Sequence, residues 1–139
     1  MGCIFCDIID SAVESSQVFS NEHALAFMDI SQITPGHVLV VSRRHAETIT
    51  DLSSDEAAET FRVVHLISQA VRSSDLRCDG MNIWQSNGAA AMQEVPHVHF
   101  HIIPRFPGDP LELRIRRNRP TFARPELDAF AAKIRDQLP

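Results

Sequence analysis

Two periodicities alternate along this chain and outline its architecture. Gln17-Val18-Phe19-Ser20 and Ala24-Leu25-Ala26-Phe27-Met28-Asp29 are short apolar runs separated by an Asn21-Glu22 turn signal, a pattern that predicts a β-hairpin. Thr34-Pro35-Gly36 is a second turn signal, with Pro presetting φ and Gly accepting a positive φ. It leads into His37-Val38-Leu39-Val40-Val41-Ser42, apolar enough to be a central strand. The period then changes. Ser53 with Glu56 forms a capping box, and Ala57, Phe61, Val64, Ile67 and Val71 recur at three- and four-residue spacing. This predicts a helix with one apolar face on a sheet and His65 in solvent. Asp79-Gly80 turns the chain into a strand over Met81–Gln85, followed by a loop over Ser86–Gln93 and another strand within Val95–Arg105. Pro125 opens a last helix whose stripe is Leu127, Phe130, Ala131, Ile134 and Leu138. Short strand-to-strand connections predict an α+β fold: a meander-like antiparallel sheet of about five strands, a covering helix and a C-terminal helix. With no internal repeat and no linker, residues 1–139 are expected to form one domain.

Composition narrows the function classes. A chain of 139 residues with 44% hydrophobic and 22% charged content fits a globular domain with a sizeable core. No apolar run approaches the length of a bilayer, and the N-terminus lacks a basic region followed by an apolar one, so a cytoplasmic protein with no membrane partner is expected. The net charge of -5 gives no long-range attraction for nucleic acid. A phosphate ligand would therefore have to be held by local donors. Arg114, Arg116, Arg117 and Arg119 form a basic cluster in this acidic chain, read either as a solvated face or as a contact for a leaving group or partner subunit. Three cysteines without a secretory signal argue against a disulfide framework. Cys3 and Cys6 have the spacing of half a zinc site, whereas Cys78 reads as a small apolar residue or an inert thiol.

The chemistry concentrates in Val95-Pro96-His97-Val98-His99-Phe100-His101-Ile102-Ile103-Pro104-Arg105. Imidazoles at alternate positions of a strand share one face, with neighbouring rings roughly 6–7 Å apart. Three readings follow: a half-exposed strand whose polar positions are His, a metal site, or covalent catalysis by a histidine nucleophile. The spacing alone does not choose between the last two. His37, at a strand start, is read as structural.

His97-Val98-His99-Phe100-His101-Ile102-Ile103 resembles the signature of the histidine triad (HIT) family. Asp79-Gly80-Met81-Asn82-Ile83, Asn87-Gly88, Gln93-Glu94-Val95 and Pro104-Arg105 match its catalytic region, and Asp29-Ile30, Pro35-Gly36-His37 and Arg44-His45 match its N-terminal half. The resemblance covers about residues 3–105, leaving 106–139 as a C-terminal extension and helix. It implies the HIT-like topology and cleavage at the α-phosphate of purine nucleoside phosphoramidates or dinucleoside polyphosphates, with a nucleotidyl intermediate on His99. By the same resemblance His97 orients His99 through its carbonyl, and His101 contacts phosphate. Asp29 would accept the ribose hydroxyls, and Phe5, Ile8, Phe27, Met28 and Ile30 would wall the base pocket. Ser86, Gln93 and Glu94 would belong to the nucleotide site, with Ser86 and the backbone around Gln93 at the phosphate. The resemblance further implies an AMP-like purine nucleotide ligand, a homodimer, and a structural zinc held by Cys3, Cys6, His45 and His97 in a bacterial-type branch. No catalytic metal is expected. Ser86 replaces an Asn or Gln usual in the family, and Met92 replaces a Gly, so a nucleotide-binding module with little turnover is the alternative. A zinc-dependent hydrolase using the triad as ligands is the other.

Overall fold

The computed structural model describes residues 2–111 and 120–139, so the Arg114–Arg119 cluster lies outside the described residues. Five strands are present among the described residues: β1 (Gln17–Ser20), β2 (Ala24–Met28), β3 (Val38–Ser42), β4 (Gly80–Gln85) and β5 (His99–Arg105). They form one sheet in the order β1-β2-β3-β5-β4, antiparallel at every junction. The predicted hairpin is β1–β2. Its turn is closed by Asn21, whose Oδ1 accepts from the backbone N–H groups of His23 and Ala24, both at 2.9 Å. Among the described residues the sheet is accompanied by the helices α1 (Ile4–Ile9), α2 (Ser54–Ser73) and α3 (Arg124–Arg135). None of the helices among the described residues is long and apolar enough to cross a membrane.

Both faces of the sheet are covered, and for this reason β2 and β3 read as continuous apolar runs. On one face Val18, Ala24, Ala26, Met28, Val38, Val40, Phe100 and Ile102 pack against Val63, Val64, Ile67, Ala70 and Val71 of α2, and against Leu127, Ala131 and Ile134 of α3. On the other, Leu25, Phe27, Leu39 and Val41 pack against Phe5 and Ile8 of α1. Each large apolar side chain so buried stabilises the fold by about 1.5–3 kcal/mol.

The capping box at the start of α2 forms as predicted: Glu56 N–H donates to Ser53 Oγ at 3.1 Å, and Ser53 N–H donates to Glu56 Oε2 at 3.0 Å. Glu56 also takes a two-pronged bond from Arg44 at 2.7 and 2.8 Å. The Arg44 guanidinium, with help from the Ser53 N–H, holds the Glu56 carboxyl down to about 2. This anchors the loop that carries His45.

Two expectations need correction here. Phe61 does not join the buried stripe of α2; it is 47% exposed and meets Phe100 edge-on at 5.8 Å. Thr60, Val63 and Ala70 complete the buried face instead, rotating the stripe slightly around the helix. Met28 does not wall a pocket beside Phe27. Adjacent strand residues point to opposite faces, so Met28 is buried under α2, while Phe27 faces α1.

Candidate active site and metal centre

The histidine-bearing strand is shorter than its sequence pattern. β5 begins at His99, and His97 lies in the preceding bend, although Val98 still bonds to the Ser42 N–H and the Ala46 carbonyl. His99 and His101 project from the α1 face, opposite Val41 and Leu39 of β3, with their rings 5.1 Å apart. His97, released from the strand, turns away from them toward the N-terminal segment.

His99 is 6% exposed, and its Nδ1–H donates to the His97 carbonyl at 2.7 Å. That bond fixes the tautomer: Nδ1 carries the proton and Nε2 keeps its lone pair. Burial pushes the His99 pKa below its ordinary value; the His97 carbonyl, and the charges of Asp29 and Glu94, oppose the shift without cancelling it. The ring is therefore neutral at physiological pH and can act as a nucleophile. Phe5 packs edge-on against it at 5.0 Å.

His37 belongs to the site, contrary to its structural reading. Its Nδ1 accepts from the Ile33 N–H at 3.2 Å, so Nε2 bears the proton and donates to His101 Nδ1 at 2.8 Å. His101 must then carry its own proton on Nε2. Asp29 Oδ2 lies 3.5 Å from His37 Nε2, and Asp29 Oδ1 accepts from the Ser31 N–H at 2.8 Å. Gln32, fully buried, holds this loop together. Its Nε2 donates to the carbonyls of Asp29 (2.5 Å) and His37 (2.8 Å), and its Oε1 accepts from the N–H groups of Gly36 (2.8 Å) and His37 (2.9 Å). In the sequence the one sign of this role is a Gln standing between two apolar runs.

The remaining expected site residues divide. Phe5, Ile8 and Phe27 form a buried wall beside His99, whereas Ile30 is 56% exposed next to Asp29 and lies outside that wall. Trp84, the single tryptophan, pairs with His101 across β4–β5 and lines the same face, although it was not among the expected site residues. Gln93 is occupied by its own loop: Oε1 accepts from the Gly88 N–H at 2.6 Å, and Nε2 donates to the carbonyls of Glu47 and Val95 at 2.7 and 3.0 Å. Its backbone N–H donates to the Gly88 carbonyl. Gln93 thus braces the loop. Met92 closes the turn with φ at 65°, a left-handed conformation that a glycine adopts without strain, and leaves its side chain 74% exposed. Ser86 is half-buried after the end of β4, and Glu94 is exposed.

Cys3, Cys6, His45 and His97 come together from three separate parts of the chain, with one ligand atom of each within 4.8 Å of the others. Cys3 Sγ is 3.4 Å from His97 Nδ1, Cys6 Sγ is 3.4 Å from His45 Nδ1, and the two Nδ1 atoms are 3.2 Å apart. Ligands around a tetrahedral zinc stand roughly 3.3–3.8 Å from one another, given bond lengths of about 2.0–2.3 Å. The residues present fit that ion. His97 Nε2–H donates to the Ser42 carbonyl at 2.6 Å, which leaves Nδ1 as the lone-pair atom facing the cysteines, in the manner of an outer-shell bond to a metal ligand. Burial first, then the Cys3 thiol and the charges of Asp10 and Asp7, push the Cys6 thiol up to about 11. A cation is the partner that would make a thiolate pair stable there.

The HIT domain model matches residues 11–108. This chain belongs to the HIT family. It is 42% identical over 104 residues to the HIT-family "Protein hit" of Bacillus subtilis, covering 75% of this chain and 71% of that one. It is 35% identical over 105 residues to the adenosine 5'-monophosphoramidase of Schizosaccharomyces pombe, covering 76% of this chain and 75% of that one. Among solved structures, the zinc-bound histidine triad family protein of Mycobacterium smegmatis superposes with a TM-score of 0.83 at 32% identity, covering 99% of this chain and 93% of that one. The five-stranded antiparallel sheet with its helices is thus the HIT fold.

Proposed function

We propose that this HIT protein cleaves purine nucleoside phosphoramidates or dinucleoside polyphosphates at the α-phosphate, through a nucleotidyl-His99 intermediate. The observation that carries this reading is the bond from His99 Nδ1–H to the His97 carbonyl, which leaves Nε2 of a buried, neutral ring as the attacking atom. Nε2 forms a bond to phosphorus as the bond to the leaving amine or phosphate breaks. His101, its tautomer set by His37, presents Nε2–H as donor to a phosphate oxygen or to the departing group. Water then attacks phosphorus, breaks the P–N bond to His99 and releases the monophosphate. Asp29, at the end of β2, would accept the ribose hydroxyls, and Phe5, Ile8 and Phe27 would flank the purine. The relative named as an adenosine 5'-monophosphoramidase supports this substrate class. The test is hydrolysis of an adenosine phosphoramidate by His99→Ala: activity should vanish, and retained turnover removes His99 from its role.

Cys3, Cys6, His45 and His97 would hold a structural zinc. With four protein ligands no position is left for water, so the ion would cross-link α1, the loop after β3 and the His97 bend. Only His97 of the triad faces that cluster, which weighs against a zinc hydrolase that uses all three imidazoles. The occupied donors of Gln93 and the strained Met92 favour one alternative, a nucleotide-binding module with little turnover. Titration with AMP, read by Trp84 fluorescence, would then give binding without release of product from a phosphoramidate. We further infer a homodimer through β4, an edge strand of the sheet, on which Ile83 is 41% exposed, with Phe61 of α2 47% exposed.

A further inference from the structure

We propose that Cys3 and Cys6 are a site of reversible oxidation by hydroperoxides, at which an intrachain disulfide and the bound zinc exclude one another. Three observations carry this. The two cysteines sit at the N-cap and third position of α1, whose helical geometry puts Cα atoms three residues apart at about 5 Å, inside the range a disulfide spans. The same two sulfurs make up half of the Cys3–Cys6–His45–His97 ligand set, so joining them removes both anionic ligands at once. The cage is also accessible, because both cysteines are half-buried and His45 is exposed. Cys78 stands apart. It packs in the core on the α2 and α3 face of the sheet, while α1 packs on the other, and its thiol donates to the Gly80 carbonyl.

The chemistry balances without a further reactant. One thiolate attacks the terminal oxygen of the hydroperoxide, the O–O bond breaks, and an alcohol (or water, from hydrogen peroxide) leaves after taking a proton. The second thiolate attacks the resulting sulfenic sulfur, the S–S bond forms, and the displaced hydroxide is protonated to water. Two thiolates and two protons are consumed, two electrons pass to the peroxide, and zinc departs with its charge.

The consequence reaches the triad through His97. Its ring is a cage ligand, and its carbonyl fixes the His99 tautomer, while Phe5, between the two cysteines, packs on both rings. Oxidation therefore loosens the brace of the nucleophile. This last link rests on the His99 reading given above; the exchange of zinc for a disulfide does not.

The test treats zinc-loaded full chain with graded hydrogen peroxide and follows three signals: zinc release by a chromogenic chelator, intact mass, and peptide mapping of the disulfide. The expected result is release of bound zinc together with loss of two hydrogens mapped to Cys3–Cys6, reversed by a dithiol plus zinc and unchanged in Cys78→Ser. Zinc retained while free cysteine in the same tube is oxidised, or release accompanied by a disulfide through Cys78, overturns the proposal. Nucleotidyl labelling of the reduced, zinc-loaded chain is measured alongside. It should fall at least about tenfold on oxidation, as when an outer-shell support is lost. Labelling absent even from the reduced protein counts against the His99 reading, whereas the zinc and mass signals still decide the exchange.

Discussion

Replacing Gln32 with leucine tests whether the loop between β2 and β3 is held by one side chain. The substitution keeps an extended side chain of similar size, so little cavity is created, but it removes four hydrogen bonds of 2.5–2.9 Å in a fully buried setting. Among the described residues the Gly36 N–H has no other partner, so its loss costs the full desolvation of a buried donor, about 1–3 kcal/mol. The Asp29 and His37 carbonyls and the His37 N–H each lose one bond, worth about 0.5–1.5 kcal/mol apiece. The expected destabilisation is about 3–6 kcal/mol, a large share of the roughly 5–15 kcal/mol that keeps a domain folded. Urea unfolding of Gln32→Leu and wild type, followed by Trp84 fluorescence, measures it. Gln32→Glu should be at least as damaging, because a carboxylate would face two carbonyl oxygens. A change under about 1 kcal/mol in Gln32→Leu would refute this account of the loop.

Three other outcomes follow from the same contacts. His37→Ala removes the bond to His101 Nδ1 and should lower kcat by about 10- to 100-fold with KM little changed, short of the cost of losing a general acid outright; an unchanged kcat would detach His37 from catalysis. The Arg105 guanidinium, which bonds Asp109 at 2.7 and 3.1 Å, holds that carboxyl down to about 2. Because the folded pKa lies below the unfolded one of about 3.9, the stabilisation is complete above pH 4 and lost as pH falls toward 2. Asp109→Asn should flatten that part of a stability-against-pH curve, and a curve identical to wild type would contradict it. Ile83→Asp on β4 should turn a dimer into a monomer by light scattering, and an undisturbed dimer would move the interface elsewhere.

Much of this could be read from local pattern, because the fold relies on strong local signals. The hairpin, the Pro35-Gly36 turn, the Ser53–Glu56 box and the Pro125 helix start all appear where residue chemistry puts them. The misreadings arose where a face had to be chosen. Phe27 and Met28 are adjacent in a strand, so strand alternation already forbade both from lining one pocket. Phe61 lies at the margin of the α2 stripe, where a few degrees of helix rotation decide between core and sheet edge. His37 and Gln32 could not be assigned from spacing, because their partners (His101, Asp29 and the Gly36 backbone) are defined by strand register and loop closure. His97 departs from the strand pattern, and its ring lies against Cys3, Cys6 and His45, residues that meet only in the folded chain.

The central claim is that Nε2 of the buried, neutral His99 attacks phosphorus, and trapping the covalent species tests it most directly. Zinc-loaded protein is mixed with an adenosine phosphoramidate, quenched within the first turnovers, and digested for mass spectrometry under conditions that preserve phosphorus–nitrogen bonds. The account predicts an adenylyl group on the peptide spanning β5, localised to His99, and absent from His99→Ala. An adduct on another residue, or rapid hydrolysis with no adduct under any quench, would contradict it.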